Sequence, residues 1–325
     1  FPGHGNLDES PIARRLANEL GTEHIEFMAE PGTRDLLPML ARQFDEPIAD
    51  SSMIPTYLVS KLIRRDATVA LGGDGGDELF GGYPQHNWVR GIERARLVGL
   101  HHLGLAGLAA HLLPNRFFAR KMALRLLDRA APELTVARLA DPLMRKKLMG
   151  ARLAFSGPRA EAWRAGLTAR WDDVGERAMA HDFLTYMCDD ILVKVDRASM
   201  LASLEVRAPL LDPAIIEFAF GQLAPHQRAT ATGRKLLLRH LAHRQLPAWF
   251  DSERKQGFSI PLGAWLRGEW ADLIEDLAHG SSEGLLDPAA VRSFLRSGEG
   301  SDRLAHQIFQ LAMLELWRRE YRISV

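Results

Sequence analysis

The 325-residue sequence predicts an α/β fold with a mainly parallel sheet and a large helical extension. Near the N-terminus, helical patterns alternate with short strand-like runs, which is typical of strands joined by crossover helices. After about residue 85 the strand pattern fades, and helical periodicity continues towards the C-terminus. We therefore expect residues 1–90 to form an α/β core and residues 91–325 to form a mainly helical part that completes its site.

The first predicted elements are a helix and a strand. The helix is expected to take Asp8 or Ser10 as its N-cap and to carry Pro11 in its first turn. Gly21 is its expected stop, because glycine is common directly after a helix. The sequence EHIEFM, residues 23–28, predicts a short strand.

Two further helices and a strand complete the predicted core. Residues 33–45 predict a helix, although Pro38 disfavours it. Residues 55–66 predict a clearer helix, which Pro55 opens and arginines close. Its inward face is predicted to carry Leu58, Leu62 and Ile63. Residues 67–71, ATVAL, predict a short buried strand, so the sheet should be mainly parallel.

The remainder of the chain is predicted to be helical. Clear helical patterns cover residues 176–190, 233–244 and 302–321, and residues 297–302 predict a loop. The most apolar segment, Leu97–Leu113, is a little short for a membrane span and contains three histidines. We therefore expect that segment to be a packed helix.

Composition limits the possible partners. The chain has 41 Lys and Arg residues and 41 Asp and Glu residues, so no overall field favours nucleic acid or an acidic membrane. We expect neither as a partner. Cys188 is the only cysteine, which excludes an internal disulfide and fits a reducing compartment. No secretory signal pattern opens the chain, and a cytoplasmic location is expected.

A glycine-rich loop follows the predicted strand at residues 67–71. The sequence LGGDGGDELFGGY carries Asp74, Asp77 and Glu78 among its glycines. In parallel sheets, ligands bind beyond the carboxyl ends of the strands, where this loop begins. Glycines let backbone N–H groups approach an anion, and carboxylates suit a hard cation such as Mg²⁺. This combination favours a nucleotide triphosphate site.

Three known loop types do not match this sequence. Gly76 and Gly81 have the Walker spacing, but Gly82 and Tyr83 occupy the lysine and hydroxyl positions. The dinucleotide fingerprint fails because Glu78 stands where glycine is required. The loop also lacks the alternating acidic groups of a calcium loop. A tight surface turn with solvated acids remains an alternative interpretation.

The second half of the chain contains two further charged blocks. Five of the charged residues between residues 189 and 212 predict an ion-pair network, because they lie among apolar residues and buried charges must be paired. They are Asp196, Arg197, Glu205, Arg207 and Asp212. A structural role is expected for most of them. Farther on, Lys235 and Arg239 are four residues apart on one predicted helix face. An anionic ligand would offset basic residues near a helix start, but an ordinary basic face fits equally well.

In the light of four ordered motifs, the sequence resembles the synthetase domain of the glutamine-dependent asparagine synthetase family. The motifs are LGGDGGDELFGGY, DRASMLASLEVRAPLLD, GRKLLLR and KQGFSIPLGAWLRGEW. The resemblance covers nearly the whole chain and implies an ATP-pyrophosphatase domain of the adenine nucleotide alpha hydrolase type. In this family, ATP activates a carboxylate as an acyl-adenylate with release of pyrophosphate. Ammonia then attacks, and AMP leaves.

The resemblance also implies roles for individual residues. The backbones of Gly72 and Gly73 would lie against ATP, and Asp77 would bind the Mg²⁺ that bridges the phosphates. Asp74 matches an acidic residue that assists formation or aminolysis of the adenylate. Lys235 matches a lysine that neutralises charge in the transition state. Separately, a substrate-binding role is conceivable for Asp50, Ser51 and Ser52, which precede a predicted helix, although an N-cap is the simpler interpretation.

The sequence departs from the family pattern at three points. The nucleotide loop Ser-Gly-Gly-x-Asp-Ser is absent and is expected on a strand-loop-helix unit upstream of Phe1. The N-terminal glutaminase domain is also absent, and Cys188 does not replace its nucleophile. Asp74 stands where asparagine-forming members often carry Glu, which retracts the carboxylate by about one ångström.

The sequence therefore predicts an ATP-dependent ligase. Its expected substrates are aspartate, or a related carboxylate, and ammonia from a glutaminase domain, and a homodimer is possible. One alternative is an amidotransferase of the same family that acts on another acid. The other is a truncated, non-catalytic remnant, since half of the nucleotide site is expected upstream of these residues.

Overall fold

A computed structural model describes most of the chain in several stretches. They are residues 9–27, 35–99, 159–230, 232–251, 260–280, 289–293 and 302–323, with the single residues 123, 126, 148 and 287. The predicted α/β class is confirmed, since helices dominate and two short strands form a parallel sheet. Of the predicted loop at residues 297–302, residues 297–301 lie outside the described residues, and Asp302 begins a helix. Of the predicted packed helix Leu97–Leu113, residues 100–113 lie outside the described residues.

The elements before residue 100 alternate around one strand. They are α1 (Ser10–Leu20), α2 (Leu36–Gln43), α3 (Met53–Ile63), β1 (Val69–Leu71), α4 (Gly76–Phe80) and α5 (Pro84–Leu97).

The later elements are helical apart from a second strand. They are α6 (Arg159–Thr168), α7 (Val174–Asp182), a π-helix (Phe183–Ile191), α8 (Leu192–Leu201), β2 (Glu205–Arg207), a 3₁₀ turn (Pro209–Leu211), α9 (Pro213–Gly221), α10 (Pro225–Arg228), α11 (Leu236–Gln245), α12 (Leu262–Arg267), α13 (Ala271–Gly280) and α14 (Asp302–Glu320).

Strands β1 and β2 pair in parallel, with Val69 opposite Glu205 and Leu71 opposite Arg207. The predicted strand at residues 67–71 is therefore confirmed in position. Its predicted burial is wrong, because Leu71 is 74% exposed and Val69 is also exposed. Alternate side chains of a strand point to opposite faces, and Ala70 points to the half-buried one.

Helix α1 is confirmed, with Pro11 in its first turn and Gly21 directly after its last residue. Its N-cap is Glu9, so the predicted cap at Ser10 is wrong, and Asp8 lies outside the described residues. Residues 23–27 form no strand within the described part of the chain. Instead, Arg14 of α1 forms a bidentate salt bridge with Glu26, and Ile25 is exposed.

Helices α2 and α3 are confirmed with shifted starts. Pro38 lies in the first turn of α2, where the backbone N–H groups have no partner within the helix. Helix α3 begins at Met53, two residues before Pro55. The predicted inward face is only half-buried at Leu58, Leu62 and Ile63. The fully buried side chains of α3 include Met53, Ile54 and Ser60 instead.

The main hydrophobic core joins the two ends of the chain. Leu37 and Leu40 of α2 and Ile54 of α3 pack in one cluster with Phe309 and Met313 of α14. A second cluster lies beneath the glycine-rich loop and joins α4 to residues of α9 and α11. This second cluster matters for the site, because it fixes the loop against α11. No helix of the described residues is long and apolar enough to cross a membrane.

Candidate active site

The glycine-rich loop joins the end of β1 to the start of α4. The Gly72 N–H donates to the Arg207 carbonyl at 2.7 Å, which ties the loop to β2. A Cβ on Gly72 would lie 2.9 Å from the Asp74 carboxylate, whereas one on Gly73 would meet no described atom within 4 Å. Gly73 is therefore the glycine of this pair that a ligand can approach closely.

Asp77 and Lys235 meet where α4 packs against α11. The Lys235 Nζ lies 3.1 Å from the Asp77 Oδ1, and the two side chains are 30% and 24% exposed. Lys235 is the residue before α11 and has a left-handed backbone, with φ of +51°. Lysine pays a steric cost there that glycine would avoid, so the surrounding structure holds Lys235 in a strained position.

Gly82 makes the contact between Asp77 and Lys235 possible. A Cβ on Gly82 would lie 1.7 Å from the Asp77 Oδ1 and 2.4 Å from the Lys235 Cε. The Gly82 N–H donates to the Asp77 carbonyl at 2.8 Å, so the backbone is fixed at this point. Both side chains therefore cross directly over the glycine.

Asp77 fits a magnesium ion that arrives with a nucleotide. The described residues contain no group of three His, Cys, Asp or Glu side chains that would hold a metal ion by itself. Magnesium in nucleotide sites is commonly bound by one or two carboxylates together with phosphate oxygens and water. The partly exposed Asp77 carboxylate suits that arrangement, with the Lys235 ammonium beside it for the phosphate charge.

Asp74 lies half-buried between the two glycine pairs of the loop. Burial raises the pKa of its carboxyl group, and the positive charge of Lys194 offsets part of that increase. A carboxylate with a raised pKa accepts a proton more readily at neutral pH. Asp74 is therefore suited to act as a base towards a bound amine.

Glu78 is not a solvated acid. It is 1% exposed, and its carboxylate accepts a short hydrogen bond from the Tyr83 hydroxyl. The Tyr83 ring packs edge-on against Tyr186 and His86. The alternative of a surface turn with solvated acids is therefore wrong for this residue, because its side chain is buried. Burial is also the main cause of the raised pKa of its carboxyl group.

The carboxylate of Asp50 is used within the fold. It accepts hydrogen bonds from the Ser52 N–H at 2.9 Å and from the Ser52 hydroxyl at 2.8 Å. Ser52 occupies the N-cap position of α3 but makes no capping bond with its own side chain. The Ser51 hydroxyl lies 3.4 Å from the His306 Nδ1. The role of these three residues in substrate binding stays a prediction.

A second lysine, Lys194, was not predicted as a site residue from the sequence. The Lys194 Nζ of α8 lies 2.9 Å from the Asp50 Oδ2, and the two side chains are 11% and 18% exposed. Asp190, four residues earlier on the π-helix, also belongs to this region, because its pKa responds to both Asp50 and Lys194. The available signal was a lysine within the apolar run ILVKV.

The predicted buried ion-pair network is wrong. Arg207 pairs with Glu205 on the same strand, and both side chains are more than half exposed. Arg197 pairs with Asp45 at 3.2 Å, again at the surface. Asp212 caps α9, and Asp196 is exposed. The apolar neighbours of these charges are buried on one side of short elements, which leaves the charged side in solvent.

Buried pairs of polar or charged side chains occur elsewhere among the described residues, close to the glycine-rich loop. The His86 Nε2 lies 2.9 Å from the Asp182 Oδ2, and both residues are almost completely buried. The fully buried Arg228 guanidinium lies 2.6 Å from the Glu176 carboxylate. These pairs connect α5, α7 and α10 and therefore support the loop from beneath.

Comparison with known protein families identifies a match over nearly the whole chain. The asparagine synthase family matches residues 2–319, which is nearly the whole chain. The chain belongs to the asparagine synthase family. The mixed architecture, with a glycine-rich loop at the carboxyl end of a parallel strand, is consistent with that membership.

Individual members of the asparagine synthase family are similar over long stretches. A Mycobacterium tuberculosis protein provisionally named asparagine synthetase (glutamine-hydrolyzing) is 29% identical over 332 residues, which cover 96% of this chain and 48% of that protein. Asparagine synthetase (glutamine-hydrolyzing) 1 of Bacillus subtilis is 28% identical over 83% of this chain and 43% of its own length. The chain thus spans about half the length of the curated relatives it matches.

Proposed function

We propose that this chain is the synthetase part of an ATP-dependent, amide-forming ligase. The observation that carries the proposal is the meeting of Asp77 and Lys235 at 3.1 Å beside the open glycine-rich loop. A carboxylate for a nucleotide-bound cation and an ammonium for phosphate charge are the two groups that adenylation requires. Membership of the asparagine synthase family supports ATP-dependent amide formation in general.

In the proposed reaction, a substrate carboxylate attacks the α-phosphorus of ATP to give an acyl-adenylate and pyrophosphate. Such a step requires positioning and charge neutralisation more than covalent help from the protein. The backbones of Gly72 and Gly73 are assigned to the nucleotide, with Gly73 as the closer contact. Lys235 stabilises the negative charge of the departing pyrophosphate. Magnesium, held by Asp77 when bound, would supply further neutralisation.

Ammonia attacks the acyl carbon in the second step, and AMP leaves. The attacking nitrogen must lose a proton, and Asp74 is assigned to accept it. The partial burial that raises the pKa of Asp74 supports this role, because a more basic carboxylate is a better acceptor. The amide product, AMP and pyrophosphate then complete the reaction.

The proposed acceptor is aspartate, and the proposed nitrogen source is ammonia released from glutamine by a glutaminase domain. The names of the two relatives, asparagine synthetase (glutamine-hydrolyzing), support both. Asp74 in place of Glu supports a second candidate, an amidotransferase acting on another acid, since the shorter side chain reaches a different position. We propose a cytoplasmic location, and a homodimer is the proposed assembly.

The test is AMP formation by the full-length protein, including any residues upstream of Phe1, supplied with ATP, Mg²⁺, ammonia and one acceptor at a time. Aspartate and a series of other carboxylic acids distinguish the two acceptor proposals. Asp77→Ala should reduce AMP formation by about 100-fold or more, because it removes a charge-stabilising group of the transition state. The matched control is Asp66→Ala, which removes an exposed carboxylate and should leave the rate unchanged.

Two results would contradict the proposal. Equal AMP formation by the wild type and Asp77→Ala would remove Asp77 from the reaction. No AMP with any acceptor would favour the non-catalytic remnant. Titration of the protein with Mg²⁺ and ATP separates a binding defect from a chemical one, since a remnant that retains the site still binds the nucleotide.

A further inference from the structure

Lys194 occupies a position that the proposed chemistry has not used. It lies on α8, which packs against α3 and β2, and its Nζ is 2.9 Å from the Asp50 Oδ2. Both side chains are mostly buried, with 11% and 18% of their surfaces exposed. An ion pair with this little solvent is weakly screened, so its charge acts on neighbouring groups.

Asp190, on the π-helix, is a further carboxyl group on which the charges of this pair act. A π-helix accommodates more residues per turn than an α-helix, and such segments are frequent at functional sites. The Asp190 Oδ1 is buried and has no hydrogen-bond partner within the described part of the chain. The pKa of Asp190 is raised to about 7 by burial and by the negative charge of Asp50, while Lys194 lowers it.

Lys194 therefore acts on three carboxylates from three different elements. Asp50 precedes α3, Asp74 lies in the glycine-rich loop, and Asp190 lies on the π-helix. Lys194 lowers the pKa of each of them, by direct bonding at Asp50 and through its charge at Asp74 and Asp190. Without this lysine, nothing named here would offset the negative charge that Asp50 exerts on the buried Asp190, or the burial of Asp74.

Several other titratable groups among the described residues lie around this region, including His306, whose Nδ1 is 3.4 Å from the Ser51 hydroxyl. Tyr186 lies close to Asp50, Asp190 and Glu78, and burial raises the pKa of its hydroxyl so that it stays neutral. Glu78 and Asp182 are themselves acidic. Arg164 lies 4.0 Å from Asp189, on the more exposed side of the π-helix.

We propose that Lys194 is a positioning residue of the active site, which fixes Asp50 at the start of α3 and supplies a positive charge that Asp50, Asp74 and Asp190 share. The catalytic part of this inference rests on the proposed function, in which Asp74 accepts the proton of the attacking amine. The electrostatic part rests on the enclosed Lys194–Asp50 pair and on the buried Asp190 Oδ1, and the pKa directions of Asp74 and Asp190 support it. Lys194 thus connects α8 to the glycine-rich loop through charge and not through contact with the substrate.

The experiment compares Lys194→Met, which removes the charge, with Lys194→Arg, which keeps it. The matched control is Lys61→Met, since Lys61 is an exposed lysine on α3. A carboxyl ¹³C NMR titration follows Asp190 and Asp74 without requiring activity. Lys194→Met should raise the pKa of both carboxyls, by about one unit at Asp190. In Lys194→Arg and Lys61→Met, the pKa values of Asp74 and Asp190 should stay within about half a unit of those in the wild type.

Kinetic constants for AMP formation provide the second readout. Lys194→Met should lower kcat by about 10-fold or more, because Asp50 loses the partner that fixes it at the start of α3. The acidic limb of the pH profile of kcat should move to higher pH, because the pKa of Asp74 rises, and the KM for ATP should stay within about twofold. Lys194→Arg should restore both the rate and the profile. A purely structural lysine would change neither the pH profile nor the carboxyl titrations.

Two results would overturn the proposal: unchanged titrations of Asp74 and Asp190 in Lys194→Met, or equal loss of activity in the Met and Arg variants. Absence of AMP formation by the wild type would refute the proposed function, whereas the NMR titration would still decide the shared charge. Lys194→Gln, which keeps a hydrogen-bond donor, replaces Lys194→Met if that variant does not fold.

Discussion

Two lysine–aspartate pairs flank the glycine-rich loop, and they differ in their access to solvent. Lys235 and Asp77 meet at 3.1 Å with about a quarter of each surface exposed, 30% and 24%. Lys194 and Asp50 meet at 2.9 Å with 11% and 18% exposed, and Asp50 also accepts two hydrogen bonds from Ser52. The same two residue types thus form a pair that a ligand can reach and a pair that the fold encloses.

The comparison shows that proximity alone does not define a role. The Lys235–Asp77 pair lies over Gly82, where the backbone approaches both side chains, and Lys235 has a strained backbone. Strain of this kind persists when the surrounding structure imposes it and is common at functional sites. The Lys194–Asp50 pair has its hydrogen bonds satisfied inside the protein, which suits it to support other groups.

The largest effect is expected at the glycine beneath the accessible pair. Gly82→Ala would place a Cβ 1.7 Å from the Asp77 Oδ1, so Asp77 and Lys235 must separate. We expect AMP formation to fall by about 100-fold or more, because a displacement of about one ångström is sufficient for such a loss. A steady-state assay of AMP release provides the measurement.

The matched control for Gly82→Ala is Gly91→Ala in α5, where a Cβ meets no described atom within 4 Å. Gly91→Ala should stabilise the protein by up to about 1 kcal/mol, since alanine is the better helix former, and should leave the rate unchanged. Normal activity in Gly82→Ala would show that the Lys235–Asp77 contact is not required.

The next effect distinguishes the stability contributions of the two pairs. Asp50→Asn leaves Lys194 largely buried without its carboxylate and should destabilise the protein by about 3 kcal/mol. Asp77→Asn should cost less than about 1 kcal/mol, because its pair is more exposed. Urea unfolding at neutral pH measures both. Equal losses in the two variants would contradict the distinction between an enclosed and an accessible pair.

The Asp50 effect should also depend on pH. Burial acts to raise the pKa of Asp50, but the charge and hydrogen bond of Lys194, with the bonds from Ser52, bring it below the ordinary value of 3.8. The stability that the ionised carboxylate contributes is therefore present above about pH 4 and is lost as the pH falls. The difference in free energy of unfolding between the wild type and Asp50→Asn should therefore become smaller below about pH 4.

Asp190 should show the opposite pH dependence. Its pKa of about 7 lies above the ordinary 3.8, so the wild type loses stability as the pH rises from about 4 to about 7. Asp190→Asn avoids the cost of burying a charge and should be more stable above pH 7 by about 2 kcal/mol, with little difference at pH 4. Thermal unfolding across this pH range measures the difference in stability between the wild type and Asp190→Asn. A difference that does not change with pH would contradict the raised pKa of Asp190.

Many features of the fold were accessible from the sequence, because their signals are local. Pro11 and Gly21 bracket α1, and the glycines after ATVAL mark the carboxyl end of β1. Strand β2 was missed, since its three residues, Glu205–Arg207, are mostly charged and exposed. The burial of β1 was also misjudged, because an apolar run does not reveal which of its faces another element covers.

Some residues of the candidate site could likewise be predicted from local sequence motifs, and others could not. Asp74, Asp77 and Lys235 occur in motifs that can be recognised along the chain. The bond between Lys194 and Asp50 joins residues 144 positions apart, so no local sequence pattern predicts it. The sequence also does not predict the π-helix that carries Asp190, because a π-helix differs from an α-helix in residues per turn and not in composition.

The smallest expected effect concerns the strained backbone of Lys235. Lys235→Gly relieves the left-handed conformation and should stabilise the protein by about 1 kcal/mol while AMP formation is lost. Lys235→Ala removes the same ammonium but keeps the strain, so it should lose activity without gaining stability. Urea unfolding of the two variants measures the free-energy cost of the left-handed backbone at residue 235. Equal stabilities of the two variants would contradict the strain.

The most direct test of the central claim follows oxygen from the acceptor carboxylate. The protein is incubated with an ¹⁸O-labelled carboxylic acid, ATP, Mg²⁺ and ammonia, and the phosphorus products are examined by ³¹P NMR. Attack on the α-phosphorus transfers one ¹⁸O atom to AMP, and we expect labelled AMP together with unlabelled pyrophosphate. Label in inorganic phosphate with formation of ADP would mean attack on the γ-phosphorus and would contradict an adenylating site at the glycine-rich loop.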